Sequence, residues 1–375
     1  MAFLTTSNAL LDLDCYPKVS AKLQQPWDAG DLYLIESAQF GEQPAILNDQ
    51  WGALTCFLLQ HERSVYSWTD SFCSQKGIDN NSAKIDYSPA ILTLDEGTPC
   101  FPKGTDSLWI QCPKSFDQLH WWLSLALEQL GAGIEVSLVG MAKHLPVKWL
   151  KWLEQHNNNY HQHPITKKAR LMTFELGDTL PTLNVLKSYL GPDNKDISAL
   201  PGVFSRDHMD IGSRFFIQQI SQLNTLSGKV IDLGCGNGLL SLACLHSYPA
   251  QELELILCDD SSLALSSAQN NLVSRGYLKG EFHHTDALLN VDICADTILC
   301  NPPFHSGNRI STAAAERMFR QASRLLHKNG QLLVIANRHL PYAPLLKKNF
   351  NSIKQLSSDA KFVIYQCKDA LPSGI

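Results

Sequence analysis

The sequence predicts an α/β fold built twice in tandem, and three observations carry that prediction. Apolar runs of strand length alternate with helical stretches along both halves, the pattern of a parallel sheet covered on both faces. The halves can be laid over each other: Asp106–Lys114 on Asp296–Phe304, and Ala142-Lys143-His144-Leu145 on Asn337-Arg338-His339-Leu340. Lys167–Glu175 also echoes Lys361–Lys368, while Gly177–Lys195, rich in Gly, Pro, Asp and Asn, reads as a linker over 177–195. Two tandem Rossmann-like domains follow by internal duplication, over residues 1–176 and 196–375.

In the first half a helix is expected around Asp28–Gln39, then a short strand Ala45–Asp49 and a buried helix Trp51–Leu59. Strands follow at Ser64–Trp68, Ala90–Leu94 and Asp106–Lys114, then a helix through His120–Leu130 and a strand Ile134–Val139. The second half runs in the same order. Val230–Leu233 is a strand leading into the glycine loop Gly234–Gly238, and a helix begins over Leu239–His246. Leu253–Cys258 is a strand closed by Asp259, Asp296–Cys300 a strand closed by Asn301, Ala313–His327 a helix and Gln331–Ala336 a strand.

At 375 residues, 44% hydrophobic and 18% charged, the chain has the length and apolar content for two globular cores. Met1–Asp14 has two aspartates and no basic start, so no secretory leader is expected, and no apolar run approaches the ~18 residues of a membrane span. Eleven cysteines include no C-x-x-C pair, and Cys56, Cys244, Cys258 and Cys300 lie inside apolar runs. They read as reduced packing residues of a cytoplasmic protein, with no disulfide framework and no metal site. A net charge of −5 argues against a polyanionic partner until its distribution is considered. Residues 1–195 hold 15 Lys+Arg against 21 Asp+Glu, and residues 196–375 hold 16 against 15. Within 305–354 stand nine bases and one acid, Glu316. Such a run is often a solvated helix face; beside a site it also lets an acidic protein hold a polyanion. Arg317, Arg320, Arg324 and Lys328 are spaced to share one helical face, opposite Met318, Phe319, Ala322, Leu325 and Leu326.

Two loops of the second half carry chemistry. Asp232-Leu233-Gly234-Cys235-Gly236-Asn237-Gly238 follows an apolar strand, and its glycines permit positive φ and close approach of a ligand to the next helix N-terminus. An acid at the next strand end, Asp259, suits the two hydroxyls of a ribose, and Asp286 in Thr285-Asp286-Ala287 suits an adenine amino group, although a loop cap would also place an Asp there. Asn301-Pro302-Pro303-Phe304 ends its strand, because two prolines cannot donate to a ladder and Asn301 is held extended before one. The loop thus offers a carboxamide, a free Pro302 carbonyl and an aromatic ring, which suit a planar base bearing an exocyclic amine. A bare N-P-P-F is equally an ordinary strand-ending turn. The first half lacks both loops: Asn48-Asp49-Gln50-Trp51-Gly52 stands for the glycine turn and Gln111-Cys112-Pro113-Lys114 for N-P-P-F.

The glycine turn, Asp259 and N-P-P-F at the end of the fourth strand together resemble the class I S-adenosylmethionine-dependent methyltransferases, in particular those acting on planar nitrogens. Gly202–Arg214, Ala336-Asn337-Arg338-His339-Leu340-Pro341-Tyr342, and Ile46-Leu47-Asn48-Asp49 with Gly52-Ala53-Leu54 resemble the ribosomal RNA large subunit methyltransferase G family over nearly the whole chain. The resemblance implies S-adenosyl-L-methionine as cofactor and N2 of a guanine in 23S ribosomal RNA as acceptor. Asn301, Pro302, Pro303 and Phe304 would form the catalytic loop. Asp232, Gly234, Cys235, Gly236, Asn237, Gly238, Asp259 and Asp286 would bind the cofactor. The first domain would be a degenerate copy that helps recognise RNA, with Lys143, Lys148, Lys151, Lys167, Lys168 and Arg170 as its basic content, or else a purely structural one. A monomer with no membrane partner is expected. His305 and His339 read as polar contacts rather than acid–base groups. Other readings stay open at this level: a guanine-N2 methyltransferase of small-subunit 16S rRNA, an N6-adenine RNA or glutamine methyltransferase with the same acceptors, a dinucleotide-dependent oxidoreductase, or a non-catalytic RNA-binding protein.

Overall fold

The structure is a computed structural model; it describes residues 2–6, 9–18, 24–86, 90–303 and 312–371. The chain divides into two compact units, Met1–Val185 and Leu186–Ile375.

The first unit opens with an antiparallel hairpin, β1 (Ala2–Thr5) and β2 (Leu10–Leu13). Then come α1 (Ala29–Ser37), β3 (Pro44–Leu47), α2 (Ala53–Gln60), β4 (Val65–Trp68), α3 (Phe72–Ser82) and β5 (Leu92–Asp95). The unit is completed by β6 (Ser107–Gln111), α4 (Phe116–Leu130), β7 (Glu135–Met141), α5 (Val147–His156), β8 (Asn158–Gln162) and β9 (Ala169–Glu175). Its seven-stranded sheet has the order β5-β4-β3-β6-β7-β9-β8. The strands from β5 to β7 run parallel, whereas β9 and β8 pair antiparallel.

The second unit repeats the plan. A hairpin of β10 (Lys187–Leu190) and β11 (Asp196–Ala199) precedes α6 (Ile211–Ile220), β12 (Gly228–Leu233), α7 (Leu239–Ser247), β13 (Leu253–Asp259) and α8 (Ser262–Val273). Next are β14 (Glu281–His284), β15 (Ala295–Cys300), α9 (Ala313–Arg324), β16 (Leu326–Asn337), α10 (Tyr342–Lys347), β17 (Phe350–Ser358) and β18 (Phe362–Ala370). The sheet order, β14-β13-β12-β15-β16-β18-β17, is that of the first unit position for position. The stretch 177–195 read as a linker therefore holds β10, and the division falls at Val185/Leu186.

Strand periodicity explains why this sheet is buried on both faces. Ile231, Ile298 and Val334 point into one apolar layer with Phe319 and Tyr342. Their neighbours Val230, Leu299 and Leu333 point into the other, with Phe216 and Leu240. In the first unit Ile46, Trp109 and Val139 pack with Leu54 and Phe57 in the same manner. No helix among the described residues is long and apolar enough to cross a membrane.

The duplication extends to single hydrogen bonds. In α3, Asn81 Nδ2 donates to the carbonyls of Trp51 (2.8 Å) and Asp14 (2.9 Å), and its Oδ1 accepts from Asp14 N–H (2.9 Å). In α8, Asn271 Nδ2 donates to the carbonyls of Asn237 (2.9 Å) and Ser198 (2.8 Å), and its Oδ1 accepts from Ser198 N–H (2.9 Å). Each asparagine fastens the opening hairpin to the turn before the helix that follows the first strand of the main sheet. The serine caps match too, Ser71 Oγ accepting from Ser74 N–H and Ser261 Oγ from Ala264 N–H, both at 3.2 Å. These polar helices carry little apolar periodicity, so the sequence shows no helical stripe for them.

Two expected boundaries beside β15 differ. The helix from Ala313 stops at Arg324 rather than His327, and the strand expected at Gln331–Ala336 begins at Leu326. Ala295 N–H takes the Leu325 carbonyl at 2.7 Å and Leu326 pairs with Ala295, so sheet pairing outcompetes another helical turn. Asn81→Ala and Asn271→Ala should each destabilise by about 2–4 kcal/mol, since both strand buried backbone groups without partners. Urea denaturation of the full chain measures this, and unchanged midpoints would show that the tether is dispensable.

Candidate active site

Three loops leave the C-terminal ends of adjacent parallel strands, β13, β12 and β15, and so meet at one edge of the sheet. After β12, the N–H groups of Gly234 and Cys235 both donate to the Cys258 carbonyl, at 2.8 and 3.1 Å, folding the turn back over the sheet. Gly234, Gly236 and Gly238 have φ of 76°, 55° and 80°. At Gly238 a Cβ would also press on Ala268 Cβ at 3.1 Å, so α8 could not approach. A Cβ on Gly236 would meet nothing within 4 Å, so this glycine leaves open ground above the turn. The first unit keeps the positive φ at the outer positions, Asn48 (71°) and Gly52 (89°), but carries Gln50 and a buried Trp51 in place of Gly236 and Asn237.

Asp232 is buried at 1% exposure. Its Oδ2 accepts from Ser241 N–H (3.0 Å) and Ser241 Oγ–H (2.7 Å), tying β12 to the first turn of α7, while Oδ1 is buried with no partner among the described residues. Burial pushes this carboxyl up to about 7, against the lowering effect of the Ser241 bonds. Asp49 makes the equivalent bonds to Thr55 N–H and Oγ in the first unit. Burial, with Asp259 and Asp232 adding to it, holds the Cys235 thiol well above its usual range, so it is no nucleophile. Asn237 is buried and donates from Nδ2 to Tyr189 Oη at 3.0 Å. Asp259 Oδ2 accepts from Gly236 N–H at 2.8 Å and Oδ1 from Ser261 N–H at 2.9 Å, so the acid holds both the glycine turn and the start of α8.

Asp286, after β14, is held beside this group because Thr285 N–H donates to the Asp259 carbonyl at 3.0 Å. Its Oδ1 receives Arg317 Nε (3.3 Å) and Nη2 (3.1 Å). This corrects the expected stripe of four cations on one helix. Arg317 faces inward to a carboxylate, and Lys328 lies on β16, because the helix has already ended. Arg320 and Arg324 keep exposed positions on α9.

The loop after β15 is described as far as Pro303; Phe304, like His305 and Arg309, lies outside the described residues. Asn301 Nδ2 donates to Ser213 Oγ at 3.1 Å, and Asn301 Oδ1 is buried with no partner among the described residues. Pro302 is buried, and the Pro303 carbonyl lies 3.5 Å from the hydroxyl of Tyr342, itself fully buried edge-on to Phe319. The sequence assigns no role at the site to Ser213, Ser241 or Tyr189, and its spacing places Arg317 in the basic stripe instead of on Asp286. For Ser213 a signal was present, since Asp210-x-x-Ser213 is a helix-capping spacing within the segment that carries the family resemblance.

A turn that leaves open ground at Gly236, an unpartnered buried carboxylate oxygen and an acid at the next strand end fit an adenosine-bearing cationic cofactor. The chain matches the Methyltransferase small domain family over residues 194–366 and the RLMG N-terminal domain family over 1–178. The fold and these matches define an S-adenosylmethionine-dependent methyltransferase. It is 33% identical to a protein of Alcanivorax borkumensis and 35% identical to one of Vibrio campbellii, each named ribosomal RNA large subunit methyltransferase G. Those alignments cover 97% and 95% of this chain and 96% and 94% of the relatives. The chain belongs to the ribosomal RNA large subunit methyltransferase G family. A solved structure of a T. thermophilus 16S rRNA N2 G1207 methyltransferase with AdoMet and guanosine shares the fold at TM-score 0.78 and 19% identity, over 98% of this chain and 97% of that one.

The raised Asp232 carboxyl sets a pH dependence. The folded protein keeps a proton that the unfolded chain has released above about pH 4, so this contribution is full below that pH and is lost as pH rises through about 7. Asp232→Asn should therefore flatten the fall in cofactor-free stability between about pH 4 and 7. Denaturant unfolding across that range measures it, and parallel profiles for variant and wild type would refute the assignment.

Proposed function

We propose that this protein transfers a methyl group from S-adenosylmethionine to the exocyclic N2 of a guanine in 23S rRNA of the large subunit. The observation that carries the chemistry is the Asn301 carboxamide, whose nitrogen is engaged while its buried oxygen has no partner among the described residues. The large-subunit substrate is supported by the names of relatives aligned over almost the full chain.

When bound, S-adenosylmethionine supplies an electrophilic methyl group on a sulfonium. The turn Gly234–Gly238, with Cys235 and Asn237, would receive its amino-acid portion beside the open ground at Gly236. Asp232 would set the electrostatics beneath that turn. Asp259, held at the strand end by the N–H groups of Gly236 and Ser261, would take the ribose hydroxyls. Asp286, with one oxygen fixed by Arg317, would present the other to the adenine amine.

Guanine N2 is a poor nucleophile because its lone pair is delocalised into the ring. Asn301 Oδ1 and the Pro302 carbonyl would accept its two N–H groups. These bonds strengthen as the nitrogen gains positive charge, and they aim it for in-line displacement. Pro303 stiffens the loop, and Phe304 would stack on the base, worth about 1–3 kcal/mol. A paired or stacked guanine must leave the helix to reach the site. Arg320, Arg324 and Lys328 are exposed and available to phosphates. We assign RNA recognition to the first unit as well, whose turn carries an exposed Gln50 and a buried Trp51, and we place the protein in the cytoplasm as a monomer, in keeping with eleven free cysteines.

Asn301→Ala should cut methyl transfer by about a hundredfold, with the affinity for S-adenosylmethionine intact. The assay uses total ribosomal RNA from cells lacking this protein, followed by mapping of the modified nucleotide. Wild-type turnover would sink the role of Asn301, and a methyl group on adenine N6 or in 16S rRNA would replace the substrate reading. Asp259→Ala should weaken S-adenosylmethionine binding at least tenfold by calorimetry, roughly one charge-assisted hydrogen bond. An unchanged dissociation constant would contradict the assignment.

A further inference from the structure

Nothing in the covalent structure of an asparagine decides which end of its amide faces a substrate. A half-turn about the last bond exchanges a double acceptor for a double donor. A loop meant to accept hydrogen bonds from an amine needs that choice made elsewhere. In this protein it is made on α6. Asp210 caps that helix, its Oδ2 accepting from the N–H of Ser213 at 2.9 Å and from the Ser213 hydroxyl at 3.3 Å. A carboxylate only accepts, so the Ser213 proton is committed to Asp210. The Ser213 oxygen is then left as an acceptor, and Asn301 answers it with Nδ2 at 3.1 Å. Ser213 is buried at 6% exposure, which shields this chain from water. The chain runs one way, from Asn301 to Ser213 to Asp210, and its consequence is the unpartnered Oδ1.

The first unit shows the same node without a site. Asp28 caps α1, the third helical residue is Asp31, and Gln111 at the end of β6 donates from Nε2 to Asp31. There a side-chain carboxyl oxygen of Asp31 takes the amide directly. A tether between the fourth strand of the parallel run and the first main helix is thus part of the fold. The second unit has a hydroxyl at that position, a group that could accept or donate and is forced to accept by Asp210.

We propose that Ser213, oriented by Asp210, is a positioning residue that fixes the polarity of the Asn301 amide and so turns a structural tether into an acceptor site for the substrate amine. This rests on the reading of Asn301 as the substrate acceptor. Without the hydroxyl, the Asn301 amide is free to rotate and spends time with its NH2 group facing the amine, which blocks the productive geometry without removing the side chain.

The test is a double-mutant cycle of Ser213→Ala and Asn301→Ala, with Ser213→Thr as the conservative variant, all in the full-length protein. The readouts are single-turnover methyl transfer to total ribosomal RNA from cells lacking the protein, S-adenosylmethionine affinity by calorimetry and thermal unfolding. Ser213→Ala should slow transfer on the order of tenfold, leave the cofactor dissociation constant within about twofold, and add no further loss in the Asn301→Ala background. Ser213→Thr, which restores a hydroxyl, should recover most of the rate. Equal fold-losses from Ser213→Ala with and without Asn301 would show that Ser213 acts only through general stability and would overturn the proposal. So would a wild-type rate for Ser213→Ala when Asn301→Ala is impaired. If Asn301→Ala itself turns over normally, the fault lies in the reading of Asn301 as the acceptor, and the cycle tells the two failures apart.

Discussion

Parallel pairing of β12 with β13 on one side and β15 on the other brings together residues that the chain holds far apart. Asp232, Asp259 and Asn301 stand at or just beyond the ends of those three strands, and register alone puts them on one edge of the sheet. A one-residue slip would turn Ile231 and Ile298 out of one apolar layer and into the other. The buried layers on both faces therefore enforce the register, and the register assembles the site. The loops add local chemistry to a meeting point that the hydrophobic core has already set.

The two units share this frame and differ in what they place on it. The asparagine tethers, the serine caps and the carboxylates bonded into the first turn of the next helix recur in both. These features stabilise strand-to-helix corners whatever the corner is used for. At the ground above the turn the units diverge. One has a glycine with open space, and the other has Gln50 beside a buried tryptophan. A buried ring contributes to stability through its area, and in the first unit Trp51 supplies one where the second unit has Asn237.

Charge in the second unit is managed by pairing and by burial. Arg317 neutralises one oxygen of Asp286 and leaves α9 with fewer free cations than its sequence spacing suggests. Asp232 is bonded by Ser241 alone among the described residues, and burial, with the nearby Asp259, raises its carboxyl. The Cys235 thiol, raised well above its usual range by burial and by Asp259 and Asp232, is held in its neutral form beside the glycine turn.

Most of the architecture was legible in the sequence because buried parallel strands announce themselves as short apolar runs, and because the two halves corroborate each other. The glycine turn, Asp259 and the proline loop were legible for a related reason: positive φ and missing N–H groups demand particular residues at particular places. The polar helices α3 and α8 were silent, since serine caps and asparagine tethers hold them rather than an apolar stripe. The end of α9 was misread because pairing of Leu326 with Ala295, a contact between segments, overrides helical periodicity. Sequence by itself determined which residue types stand at the strand ends. Only the tertiary structure decided that Arg317 turns inward to Asp286, and that Ser213 and Asp210 orient the Asn301 amide. Hydrogen-bond direction depends on which neighbour commits its proton first, and those neighbours meet only when the chain is folded.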